Sequence, residues 1–288
     1  MEKETFSQKV FSFFLTKIII GILVIVAPVW LIESAGRWFL EKFTTHDELI
    51  NGIISIAASA AAIFSYVFLF RFYESRKIVE LNPSEFLKNA ILGFLTGLAL
   101  QSLFIFILYL ADHYRILAIN PLSYLMPALI MAVTAGFVAE LIIRGIVFRI
   151  TEEKFGTTIS VLFMTILFGI LHSGSKGANV ISVVATSAEA GFLLSAAYVF
   201  ARNLWLPIFL HIAWDFAEPG IFGGINPGNS VNKSLFTSEI SGPIFLTGGE
   251  AGPQNSLQAA IFCLLAGFIF LWLAKRKNNF IPFKPSLS

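Results

Sequence analysis

The sequence predicts an all-α protein, a polytopic transmembrane helical bundle of about eight spans. Of its 288 residues, 56% are apolar and only 13% are charged, and the mean hydropathy is +0.78. A water-soluble core of this length does not require so apolar a composition. Apolar runs near the roughly twenty residues needed to cross the hydrocarbon recur along the whole chain.

The first run, 11–32, carries Lys17 and is followed by no small-residue cleavage site, so it is expected to stay as an anchor. Runs at 50–70, 90–111 and 124–148 are expected to span next, then 158–172, 180–200, 204–216 and 257–274. The fifth and seventh fall short of twenty residues, so they are expected to tilt, to extend into their flanks or to cross incompletely. The irregular segment 217–255 is rich in Gly, Pro and Asn. A connection of that length is either functional or disordered, and its apolar runs 219–225 and 243–246 are expected to fold over the outer end of the bundle. There is no internal repeat or heptad seam. Cys263 stands alone, which excludes an intrachain disulfide or a cysteine metal site.

Basic connections stay cytoplasmic. One alternate set holds Lys3, Lys9, Arg71, Arg76, Lys77, Lys88, Arg149, Lys154, Arg202, Lys275, Arg276 and Lys277, whereas the other holds Arg37, Lys42, Arg115, Lys176 and Lys233. Both termini are therefore expected in the cytoplasm. The net charge of +2 reports topology, and no nucleic-acid partner is expected.

Six ionisable residues interrupt the apolar runs: Glu140, Arg144, His172, Glu189, His211 and Asp215. An ionised group at mid-bilayer costs about 2.5–3.5 kcal/mol on insertion scales, so these side chains are expected to face the protein interior. The four-residue spacings place Glu140 beside Arg144, and His211 beside Asp215, each pair on one helix face. Ala132 and Gly136 continue the first stripe with small residues that let a helix approach closely. A structural ion pair and interhelical hydrogen bonds are the competing readings. Two histidines, two carboxylates and an arginine on three spans favour one joint polar site over scattered uses. Counted from the basic ends of the spans, Glu140 lies about 13 Å deep, His172 about 21 Å, His211 about 10 Å and Asp215 about 16 Å. The group can meet between the cytoplasmic leaflet and the midplane.

These residues resemble the CAAX prenyl endopeptidases and their bacterial CPBP (Abi) relatives. That family carries Glu-Glu-x-x-x-Arg, Phe-x-x-x-His and His-x-x-x-Asn/Asp on successive helices. The matching residues here are Ala139-Glu140-x-x-x-Arg144, Phe168-x-x-x-His172 and His211-x-x-x-Asp215. The resemblance starts near Pro121, which makes 121–288 the CAAX-protease-like membrane domain and leaves 1–120 as spans without a recognised motif. It implies a protease of the bacterial plasma membrane acting on a hydrophobic or lipidated peptide in the lipid bilayer, with water activated by Glu and His. It assigns His172 to water activation and His211 with Asp215 to the oxyanion. Here Ala139 replaces the family's first glutamate, so either the site is rebuilt around Glu140 or Glu189, or the chain is a silent relative that binds peptides. No obligatory cofactor is expected. A divalent metal such as zinc would fall to Glu140, His172 and His211. A proton-relay transporter is disfavoured because the halves do not repeat.

Overall fold

The computed structural model describes residues 13–175, 177–223 and 233–283. Lys3, Lys9, Lys176, the first predicted span's start at residue 11 and Ile225 at the end of one apolar run lie outside the described residues.

The apolar runs form eight helices: α1 (Phe14–Leu40), α2 (Asp47–Phe72), α3 (Pro83–Leu110), α4 (Leu122–Phe155), α5 (Thr157–Ser173), α6 (Val180–Ala201), α7 (Trp205–Phe216) and α8 (Leu257–Arg276). Six of them are long and apolar enough to cross a membrane, and the 17-residue α5 and 12-residue α7 are not. The predicted ends need correction. α1 continues from residue 32 to Leu40, which puts Glu33 and Arg37 on a helix. Arg37 holds that last turn to its surroundings through Glu41 at 3.5 Å and through Asn51 on α2. α4 continues past residue 148 to Phe155 and stops at Gly156, whose φ of +79° ends the helix.

The described residues of the segment 217–255, 217–223 and 233–255, are more ordered than its composition implies. The segment begins as a π-helical turn, Ala217–Phe222, that prolongs α7. Strand β2 (Phe236–Ile240) then pairs antiparallel with β1 (Tyr114–Ile119), from Tyr114 opposite Ile240 to Ile119 opposite Phe236, with an irregularity between Ile116 and Ala118. A single helical turn, Ile244–Thr247, leads back towards α8 and is tied to it by Gln258 Nε2 donating to the Leu246 carbonyl at 2.9 Å. The ribbon is too short to show in an alternating pattern, so the sequence reads β1 as a plain connection.

α7 is enclosed by its neighbours. On α3, a Cβ at Gly93 would lie 2.4 Å from the Leu206 carbonyl, and one at Gly97 2.6 Å from that of Leu210. This Gly-x-x-x-Gly pair lets two backbones touch, which is how helices gain packing where lipid gives no hydrophobic drive. On the other side Gly136 of α4 meets Ile208 and Ile212. His211 and Asp215 are thus carried on a helix clamped between α3 and α4.

The basic set of connections gathers at one end of the bundle. There Lys17 meets Glu74 at 3.5 Å, Arg149 meets Glu74 at 3.0 Å, Arg76 meets Glu80 at 2.5 Å and Arg202 meets Glu152 at 2.7 Å. The opposite end carries the β1–β2 ribbon and the Lys233–Glu48 pair at 2.9 Å. Buried Tyr66 links the basic end to α4, its Oη lying within reach of Glu80 Oε1 and 3.0 Å from the Gly145 carbonyl.

Glu80, in the connection between α2 and α3, gives the fold an acid sensitivity. Burial raises its carboxyl pKa, but the hydrogen bonds and charge of Arg76 outweigh burial and leave it lowered. A carboxylate depressed in the folded state stabilises above its unfolded pKa of about 4.3, and that stability is lost as pH falls through the folded value. Glu80→Gln is therefore expected to destabilise at neutral pH and to flatten the decline below about pH 4.3. Melting of the detergent-solubilised pair between neutral and acid pH measures both effects.

Candidate active site

Three π-helical stretches occur in this region: Leu141–Phe148 in α4, Ser187–Leu193 in α6 and Ala217–Phe222 directly after α7. Such wide turns re-aim side chains and are frequent at functional sites. In α4 the freed backbone is held by side chains, since the Gly145 carbonyl also accepts from Arg149 Nε at 3.0 Å.

Glu140, the last residue of the regular part of α4, is fully buried. Its Oε1 accepts from Arg144 Nη1 at 2.8 Å and lies 2.8 Å from His211 Nδ1. The other ring nitrogen, His211 Nε2, is 3.2 Å from Asp215 Oδ2. Carboxylates thus fix the imidazole from both sides. Arg144 Nη2 donates to the Ala190 carbonyl on α6, and its guanidinium lies over the Phe168 ring at 5.4 Å. Glu140 Oε2 and Arg144 Nε are buried and have no hydrogen-bond partner.

Glu189 lies within electrostatic range of His211, Asp215, Arg144 and Glu140. Among the described residues it makes no hydrogen bond or ion pair. It is an acid near this cluster and held by none of it. His172 makes no hydrogen bond or ion pair to this cluster: it is half-buried near the end of α5, and its Nε2 is buried without a partner. Glu140 is therefore engaged by Arg144 and His211.

Sequence reasoning missed Glu218. This carboxylate is 1% exposed, one oxygen accepting from the Gln254 backbone N–H at 2.7 Å and the other, Oε1, buried unpartnered. It sits three residues beyond Asp215 and within electrostatic range of it. The i,i+3 spacing was the available signal, and it was lost because 217–255 read as loop.

A cavity of about 760 Å³ lies between α1, α2 and α4, and Ala139 and His211 are among the residues that line it. Ala139 faces this space, while Glu140, one position on, points into the buried cluster. The roughly 100° step between helix neighbours separates the two directions.

Among the described residues, no group of three or more His, Cys, Asp or Glu side chains is arranged to hold a metal ion. Glu140, His172 and His211 do not fit as a ligand set, since His211 places both nitrogens against carboxylates and His172 is joined to neither of the other two.

Fold and site together define a polytopic helical membrane protein with a Glu–Arg–His–Asp cluster buried in its bundle. Residues 121–217 match the family described as type II CAAX prenyl endopeptidase Rce1-like, and that stretch contains all six ionisable residues singled out in the sequence. No curated protein and no solved structure matches the chain.

Proposed function

We infer that this protein is a CAAX-type intramembrane endopeptidase that hydrolyses a peptide bond in a hydrophobic or lipidated peptide. The observation that carries the reading is the joined Glu140–Arg144–His211–Asp215 cluster, which lies inside the family-matched stretch and reaches a cavity through His211. Hydrolysis needs a base for the attacking water and donors for the oxyanion. His172 takes the water proton, with Glu189 the acid that stands in for the missing carboxylate, the water oxygen adds to the carbonyl carbon, and His211 Nε2 donates to the developing oxyanion in exchange for its 3.2 Å contact with Asp215. On collapse the C–N bond breaks, and the proton passes to the leaving amine. Asp215 and Glu140 hold the His211 ring, and Arg144 supplies the countercharge to Glu140. No step is drawn through a metal.

Ala139 supports a second reading, a silent relative that binds peptides. It puts a methyl group where the resembling family has a carboxylate, and that methyl faces the cavity. Turnover by purified protein decides between the two. If Glu189 supplies the missing carboxylate, Glu189→Gln is expected to lower turnover by about 10²–10⁴-fold, and Ala139→Glu should restore part of it in that background. An active wild type indifferent to Glu189→Gln would remove Glu189 from the mechanism. A wild type that is inert and becomes active on Ala139→Glu would establish the silent relative.

A further inference from the structure

The walls of the cavity show which way it opens. α1 touches α4 near the basic end, where a Cβ at Gly21 would meet Ile146 at 2.9 Å. α2 stays against both partners further along, where a Cβ at Gly36 of α1 would lie 3.6 Å from Ile54 and one at Gly52 3.7 Å from Ile130 of α4. The space is therefore a wedge between α1 and α4, closed towards the basic end and opening towards Glu33, Arg37 and Glu48, all three exposed. Met131 and Ala135 line it and are exposed along its side.

The rim is charged and the walls are mostly apolar. Glu48 is paired with Lys233 at 2.9 Å and Arg37 with Glu41 at 3.5 Å, which leaves Glu33 as the rim acid without an ion pair among the described residues. Along α4 the lining runs from Pro127 to Ala139, a rise of about 18 Å. An extended chain advances about 3.4 Å per residue, so about five residues fill that length. The volume of about 760 Å³ is that of a ligand pocket.

We propose that this cavity is a peptide-binding cleft filled from the end of the bundle opposite the basic connections, the extracytoplasmic side. Its occupant is an extended apolar segment of about five residues, whose outer end carries a basic residue that meets Glu33. The substrate of the endopeptidase proposed above, on which this assignment builds, is then a peptide presented from outside the cytoplasm. This reverses the cytoplasmic access implied by the depths estimated from sequence. Charge selects the occupant, since a rim acid without an ion pair above mostly apolar walls attracts an amphipathic cation and discriminates against an acidic segment.

Cysteine accessibility tests the proposal without requiring cleavage. Ala135→Cys and, separately, Ala139→Cys are introduced into the full chain, where the native Cys263 is fully buried. Each is treated with a membrane-impermeant maleimide in intact cells and in inverted vesicles. Labelling is expected from the outer side only. A pentapeptide of four leucines ending in lysine, at about ten times its Kd, is expected to slow labelling about tenfold. Its norleucine counterpart should protect less, and Glu33→Gln should abolish that difference.

Labelling from the cytoplasmic side alone overturns the direction of access. Equal protection by lysine and norleucine peptides overturns the role of Glu33, and protection by added phospholipid but by neither peptide makes the cavity a lipid site. A protein that is labelled and protected as expected but cleaves nothing overturns the protease reading and leaves the cleft standing.

Discussion

Arg144→Ala is expected to destabilise the bundle by about 3–5 kcal/mol, a large part of the stability of a domain. The guanidinium is fully buried and joins three helices, bonding Glu140 on α4 and the Ala190 carbonyl on α6 and lying over Phe168 on α5. Removing it leaves Glu140 buried with its countercharge gone and its Oε2 still unpartnered. An unpaired buried charge accounts for most of that cost, so the double variant Glu140→Gln/Arg144→Met should recover much of the loss. Melting midpoints of the single and double variants in detergent give the comparison, and a single variant as stable as wild type would mean that the pair is not buried as described.

His211→Asn is expected to reduce peptide cleavage by about 10²–10³-fold, the usual effect of removing one oxyanion donor. Asn keeps a polar side chain near Glu140, so expression and melting should change far less than activity. The ring is fixed on both nitrogens, at 2.8 Å by Glu140 and 3.2 Å by Asp215, so its position depends on both acids. Asp215→Asn is then expected to have a smaller effect than His211→Asn, because Glu140 still orients the ring. Single-turnover cleavage rates measure the order, and a larger loss from Asp215→Asn would place Asp215 against the substrate.

Much of this was legible in the sequence. The four-residue spacings put Glu140 by Arg144 and His211 by Asp215, and both pairs form at 2.8 Å and 3.2 Å. Gly136 was read as a point of close helix approach, and Ile208 and Ile212 of α7 meet it there. What escaped had no periodic signature. A π turn changes the facing of Arg144 and Glu189 without any change in composition. The five-residue strand β2 needs its partner β1 more than a hundred residues away, so no local pattern announces it. The polar end of α1 read as a connection because Glu33 and Arg37 break the apolar run, yet these residues form the rim of the cavity. How α5 packs against α6 was equally hidden, since it turns on Gly191, where the Thr165 backbone approaches to 2.6 Å of a would-be Cβ.

The central claim is that this bundle hydrolyses peptide bonds with its own buried side chains. The most direct measurement is cleavage of a fluorogenic apolar peptide by the purified protein in proteoliposomes, run beside its His172→Ala and Glu140→Gln forms. Wild-type cleavage lost in both variants, with each variant still inserted and folded, is the predicted result. Cleavage that persists unchanged in both variants would contradict it.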